Sequence, residues 1–353
     1  MFLDPNSLSD DGTVALTGTS MSNDGRYMAY TISRSGSDWT EIYVLDTETG
    51  RLLDDHIEWA KFTDAAWWKD GFFYSAYDRP VAGKEFSNAN ENHRIYYHKL
   101  GTPQTSDVLA FEDKEHPLHF HTAYVPENER SLFVFVGGQG FGEGMMVKDL
   151  TRPDAKWVVM EPSQDYSNSV VDVIGDDVYI LTSADAQRNR LVKAPLSNPV
   201  RANWRTVVPE QEGVLTGVSR SGNDLILTYE KDASVYPAVY SLDGSKIRDI
   251  KLPTYGTVGI SSSAKSDEVF YNFASFLYPS SIYAFDKTTG ESRLLTKPEI
   301  KNFNPADYVT EQVFYTSSDG TKVPMFLTYK KGLKRDGSNP VYLYGYGGFN
   351  VTY

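Results

Sequence analysis

The 353-residue sequence has no cysteine. This excludes disulfides, thiolate metal sites and a cysteine nucleophile. It leaves the compartment open between cytoplasm and periplasm. No apolar run reaches the roughly 18 residues that a membrane-spanning helix needs, so no membrane segment is expected. The residues Met1 to Gly12 are mostly polar and turn-like, unlike a signal peptide. Positive charge is scarce, with 34 Lys and Arg against 47 Asp and Glu and a net charge of −13. A nucleic-acid partner wants a basic face and is not expected. The acidity itself points only to solubility. There are 6 histidines, the last being His121.

What the chain does have is aromatics and turns, with 24 Tyr, 18 Phe and 27 Gly. This composition favours β structure. A short aromatic or β-branched run follows a polar turn six times, at SNDGRYMAYTIS (22–33), KDGFFYSAY (69–77), NERSLFVFVG (128–137), GDDVYILTS (175–183), SGNDLILTYE (221–230) and KSDEVFYNFAS (265–275). Aligning Tyr27, Phe72, Leu132, Val178, Leu225 and Val269 gives steps of 45, 60, 46, 47 and 44 residues, by subtraction of residue numbers. A strand–turn–strand unit follows each copy, from EIYVLDTETGRLL (41–53) to SIYAFDKTTGESRLL (281–295). The glycine of each of these two turns suits a tight hairpin. With an inner strand ahead of each copy, such as HFHTAYV or YSNSVVDVI, the unit has about four strands. A period near 45 with four strands is that of a β-propeller blade. A β-sandwich, the alternative, does not repeat its strands as units of one internal order.

Near the end, Val341 to Tyr344 is an apolar, aromatic run that reads as a buried strand, with Tyr342 and Tyr344 as core residues. It breaks into Gly345-Tyr346-Gly347-Gly348-Phe349-Asn350. Glycines here permit unusual backbone angles and close approach of a partner, and strand ends of this kind carry the sites of open α/β sheets. YGYGGFN, preceded by VFYTSSDGTKVPMFLTYKKGLKRDGSNP, resembles the start of the catalytic domain of the prolyl oligopeptidases. FLDPNSLSDDGTVAL at the start, SGSDW (35–39), NWRTVVPE (203–210) and FASFLYPSSIY (273–283) resemble the same family's propeller. The resemblance implies an all-β chain: a β-propeller at residues 1–302, with six of seven four-stranded blades present, followed by the first strands of an α/β-hydrolase domain at residues 303–353. It places the first blade upstream of Met1 and most of the catalytic domain beyond Tyr353. It implies short proline-containing peptides as substrates, a catalytic domain packed on the propeller, no cofactor, and a monomer when intact.

Serine hydrolysis on an α/β-hydrolase needs a Ser in a G-x-S-x-G elbow, then Asp and His in chain order. No such elbow occurs. Gly217-Val-Ser219-Arg-Ser221 and Gly18-Thr-Ser20-Met-Ser22 each end in Ser where the second Gly belongs. After Tyr346 there is no Ser, His or acidic residue, so the triad is absent from this chain. The resemblance gives Tyr346 the role of hydrogen-bond donor to the oxyanion of a tetrahedral intermediate, and Phe349 that of an aromatic wall for a proline ring. Packing residues are the plain alternative for both.

His116-Pro-Leu-His119-Phe-His121 puts two imidazoles on one face of a strand, a spacing that metals use. No Cys, Asp or Glu completes an obvious set, so no metal is assigned, and a polar strand near the propeller's centre is the other account. The glycine-rich stretch Gly137–Gly144 lacks the Lys-Ser/Thr of a phosphate loop and reads as a flexible hairpin. Arg188 and Arg190 are candidates for a peptide carboxylate, or members of a solvated face. Two further functions stay open. One is a non-catalytic binding scaffold, which the segment from Tyr308 onward argues against. The other is an oligopeptidase of the same broad family that cuts after basic residues.

Overall fold

The computed structural model describes residues 3–85, 87 and 89–346. Each aromatic or β-branched run becomes a strand, and each polar turn reverses the chain. The first repeat forms β1 (Val14–Met21), β2 (Tyr27–Arg34), β3 (Thr40–Asp46) and β4 (Leu52–Ala60), each antiparallel to its predecessor. The second forms β5 (Ala66–Trp68), β6 (Gly71–Ala76), β7 (Arg94–Lys99) and β8 (Val108–Glu112). One bridge, between Ala60 and Ala76, joins these two repeats into a single eight-stranded sheet. The irregular stretch between Ala76 and Arg94 accounts for much of the one long step in the repeat.

Four separate four-stranded sheets follow, each with sequence neighbours hydrogen-bonded. They are β9 (Phe120–Tyr124), β10 (Ser131–Gly137), β11 (Gly144–Asp149) and β12 (Val158–Glu161); then β13 (Asn168–Ile174), β14 (Asp177–Thr182), β15 (Arg190–Pro195) and β16 (Arg205–Val208). Next come β17 (Val214–Ser221), β18 (Asp224–Lys231), β19 (Ser234–Ser241) and β20 (Lys246–Asp249); then β21 (Thr257–Ser262), β22 (Val269–Ala274), β23 (Ser281–Phe285) and β24 (Ser292–Thr296). A two-stranded hairpin, β25 (Tyr308–Thr316) and β26 (Lys322–Lys330), completes the order. Among the described residues there is no α-helix, only single 3-10 turns. No helix is long and apolar enough to cross a membrane.

The chain divides into two compact units, residues up to Ala184 with Lys193–Arg205, and Asp185–Val192 with the residues from Thr206 on. Within the first, the twofold period of a strand sends alternate side chains to opposite faces. Phe72, Tyr74 and Ala76 pack with Ala29, Ile42, Val44 and Ile57. Phe73, between them in sequence, packs instead with Ile95, Leu132 and Val134. Both faces of β6 are therefore covered, which is why Phe72, Phe73 and Tyr74 run consecutively rather than alternating with polar residues. In the second unit Ile226 and Val239 meet Val269, Tyr271, Phe273 and Phe285 in the same kind of layer.

Two local devices recur. The pairing of β1 with β2 shifts by one residue between Leu16 and Gly18, and that of β17 with β18 between Leu215 and Gly217. Each is a β-bulge, with one extra residue on the first strand, and each falls in a Leu-Thr-Gly-x-Ser run (16–20 and 215–219). The Thr-Glu-Thr-Gly and Lys-Thr-Thr-Gly turns are also built alike. Asp46 Oδ1 accepts from the N–H groups of Glu48 and Thr49, and Asp286 Oδ1 from those of Thr288 and Thr289. Gly50 and Gly290 close the turns at φ 67° and 81°. Few other residues tolerate that conformation.

The expected buried strand at the end does not form. Val341 to Tyr346 is in no strand, and Val341, Tyr342 and Leu343 are more than four-fifths exposed. Tyr342 and Tyr344 stack on each other, ring centroids 6.5 Å apart, rather than entering a core. The physical reason is that a strand apolar on both faces needs sheet neighbours and covering layers. The nearest element in sequence, the β25–β26 hairpin, pairs only with itself. Its Phe326 packs between Tyr255 and Phe276, at 5.6 and 5.7 Å.

Candidate functional sites

Tyr346 is half exposed at the end of the described chain. Phe349 lies outside the described residues. The serines of the near-miss elbows have structural work. Ser20 Oγ donates to Ala65 O at 2.7 Å, Ser221 Oγ donates to Ser266 O at 3.1 Å, and Ser262 Oγ donates to Ser219 Oγ at 3.1 Å. None of these bonds is to a histidine.

Arg188 and Arg190 are already engaged. Arg188 Nε lies 3.4 Å from Glu210 and its Nη1 donates to Glu212 O at 2.9 Å, while Arg190 Nη2 is 3.3 Å from Asp185. A peptide carboxylate would have to compete with these acids.

The glycine-rich connection between β10 and β11 is anchored rather than loose. Gly142 N donates to Gln164 O at 2.8 Å and Glu143 N to Tyr166 O at 2.9 Å. A Cβ on Gly140 or Gly142 would lie 2.0 or 1.8 Å from a backbone oxygen of that neighbour, so only glycine fits. Behind it opens a pocket of about 470 Å³ with Phe120 and Phe141 on its wall. Glu143, also on the wall, has its carboxyl pKa raised by burial.

The interior of the first unit holds two histidine clusters. His98, on β7, is fully buried with Asp55 Oδ1 3.0 Å from Nε2 and Asp107 Oδ1 2.8 Å from Nδ1. Asp107 also accepts from the Tyr74 hydroxyl at 2.8 Å, and Asp55 from Gly101 N at 2.6 Å. Burial opposes the charged imidazolium, but hydrogen bonds and charge from Asp107 and Asp55 outweigh it and raise the His98 pKa. The second cluster corrects the reading of HPLHFH. An acid does complete it: Asp113, between β8 and β9, brings a carboxylate oxygen within 4.8 Å of a ring nitrogen of His119 and of His121. The local sequence hid this, because the loop from Asp113 to Leu118 must fold back before the groups meet.

Four-stranded antiparallel sheets repeating in chain order are blades of the β-propeller type. Residues 1–298 match the family described as prolyl oligopeptidase, N-terminal beta-propeller domain, and the chain belongs to that family. It is similar to the prolyl endopeptidase of Elizabethkingia meningoseptica, 40% identical over 354 residues that cover 100% of this chain and 50% of that protein. The prolyl endopeptidase of Dictyostelium discoideum is 31% identical over 409 residues, 100% of this chain and 53% of that one. The chain thus spans about half the length of the curated relatives it matches. Among solved structures, one from a study of inter-domain dynamics in two prolyl endopeptidases is 32% identical, with a TM-score of 0.81 over 100% of this chain and 50% of that one. Prolyl oligopeptidase B of Galerina marginata, bound to a 25mer macrocyclization substrate, is 25% identical, with a TM-score of 0.84 over 94% of this chain and 49% of that one.

Proposed function

We propose that this chain is the propeller, with the opening of the catalytic domain from about residue 303, of a serine-type oligopeptidase that cleaves short peptides on the carboxyl side of proline. The match of residues 1–298 to the prolyl oligopeptidase propeller carries this reading. The prolyl names of the relatives favour proline over a basic residue. In the proposed enzyme the propeller limits access to short, unfolded peptides, Tyr346 donates to the oxyanion, and Phe349 walls the proline pocket. The nucleophile, acid and base come from outside this chain, and the chain alone hydrolyses nothing.

Two experiments test the reading. Incubated with a chromogenic Gly-Pro substrate, the purified chain gives no turnover, and activity that copurifies with it refutes the assignment of the triad elsewhere. In the intact enzyme, Tyr346→Phe keeps the ring and removes only the donor. Loss of one oxyanion donor lowers kcat by about two orders of magnitude, roughly 3 kcal/mol. KM changes little, because the bond is made mainly in the transition state. An unchanged kcat returns Tyr346 to packing, and a loss confined to KM makes it a substrate-binding group.

A further inference from the structure

We propose that Asp113, His119 and His121 form a metal site of the zinc class, clamping the turn between β8 and β9. The first observation is a fixed tautomer. His121 Nδ1 donates to His93 O at 2.8 Å, because a carbonyl can only accept. His121 Nε2 therefore carries no proton. His93 is fixed as well: its Nδ1 accepts from His121 N at 2.8 Å and its Nε2 donates to Lys61 O at 2.9 Å. An imidazole whose Nδ1–H is held by a backbone carbonyl presents its other nitrogen to a metal.

The second observation is that this bare nitrogen is stranded. His121 is 1% and His119 7% exposed. His121 Nε2 and His119 Nδ1 are both buried without a hydrogen-bond partner. A buried acceptor left unsatisfied is costly, and among the described residues no proton donor reaches His121 Nε2. Phe111 packs edge-on against the His121 ring at 5.0 Å, and His116 stacks on His119 at 4.6 Å, so the rings are held where they are.

The third is the spacing. His119 Nδ1 lies 3.4 Å from Asp113 Oδ2, and one ligand atom from each of Asp113, His119 and His121 lies within 4.8 Å of the others, while His116 Nδ1, hydrogen-bonded to the same carboxylate oxygen at 2.9 Å, orients it. Metal–ligand bonds of about 2.0–2.2 Å at a tetrahedral angle put neighbouring ligand atoms about 3.4 Å apart. Two imidazoles and one carboxylate suit zinc and its neighbours, whereas magnesium and calcium want oxygens. Three protein ligands leave the fourth position of a tetrahedral ion to a water. One adjustment is required. Gln164 Nε2 faces His119 Nε2 at 3.2 Å while Gln164 Oε1 accepts from Gln139 N. With metal on Nδ1, His119 Nε2 carries the proton, so the Gln164 amide turns over to present its oxygen. The Gln139 N–H, at an exposed position, then goes to water.

The test uses the untagged full chain, stripped with a chelator and dialysed. Zn²⁺ is titrated by calorimetry and Co²⁺ by visible absorption. The expected results are one equivalent per chain, Co²⁺ absorption of tetrahedral intensity, and a melting temperature raised by Zn²⁺ but not by Mg²⁺. Asp113→Asn and His121→Ala weaken binding tenfold or more, and circular dichroism checks the fold of each. Asp113→Asn keeps the volume of the side chain and decides the matter if His121→Ala does not fold. Absence of tetrahedral Co²⁺ absorption, or equal affinity in wild type and Asp113→Asn, overturns the proposal. Either result leaves a proton shared between His119 and Asp113 as the account of the cluster.

Discussion

Removing His98 tests the energetics of the propeller most directly. Its ring bridges Asp55 on β4 and Asp107 ahead of β8, and all three side chains are at most 3% exposed. Replacing His98 with Ala leaves two buried carboxylates with no cation between them. Breaking a buried ion pair from one side costs about 3–5 kcal/mol, because the remaining charge is uncompensated. For a cooperative unit of this size each kcal/mol shifts the melting point by about 2–4 °C, so the drop is about 6–20 °C. Neutralising the acids in the same background, as His98→Leu with Asp55→Asn and Asp107→Asn, recovers much of the loss if charge rather than cavity is responsible. The pH dependence has a definite sign. A histidine whose folded pKa is raised contributes stability that is fully present below its unfolded pKa, about 6.5, and is lost as pH rises through the folded value. The stability difference between wild type and His98→Gln, followed by denaturant melts from pH 6 upward, therefore shrinks with rising pH. A loss under about 1 kcal/mol for His98→Ala, or a difference that grows with pH, refutes the argument.

Three further perturbations probe other layers. Phe72 is fully buried between the first two repeats, and Phe72→Ala lowers stability by about 3–5 kcal/mol in a denaturant melt. Glu41 accepts from Arg34 Nε at 2.6 Å, from the Tyr43 hydroxyl at 2.6 Å, and lies 3.0 Å from His56 Nε2. Burial opposes its ionisation, but these bonds prevail and hold its pKa at about 2. Its contribution is present above the ordinary carboxylate range and is lost as pH falls towards 2, so Glu41→Gln flattens the acid limb of the stability profile measured by circular dichroism. Phe326→Ala removes two ring pairs, about 1–3 kcal/mol together. Limited proteolysis in the turn between β25 and β26 then accelerates, while the melting of the sheets stays unchanged.

The repeat was legible because propeller blades write it into sequence twice, in the period of the apolar runs and in the hairpin turns. Asp46 and Asp286 show why the turns read so clearly. One side chain holds two N–H groups and one glycine closes the reversal, so the geometry is local and the residues that make it are adjacent. The paired Leu-Thr-Gly-x-Ser bulges were equally visible but carry meaning only once the register is known. The pair His119 and His121 was legible on its strand, but the acids that complete both histidine clusters were not. His98 finds Asp55 43 positions away in sequence, across a strand order that periodicity does not specify. Asp113 sits three residues before His116, in a loop whose reversal no strand pattern announces.

The run from Val341 to Tyr344 shows where pattern reading stops. A strand apolar on both faces is a statement about its neighbours, not about itself. The β25–β26 hairpin pairs strand to strand and docks through Phe326 and through Gln312 Nε2, which donates to Asp232 O. Val341, Tyr342 and Leu343 stay exposed, and burying side chains of this size contributes about 1.5–3 kcal/mol each. That driving force exists only when a sheet is there to receive them. In the proposed enzyme the same requirement governs Tyr346. An oxyanion donor acts over a hydrogen bond of about 2.7–3.1 Å aimed at one point, and Tyr346 here is half exposed and in no strand. The position of the Tyr346 hydroxyl is then set by the strands that flank Val341 to Tyr344, and Tyr346 becomes an oxyanion donor only when that sheet is assembled.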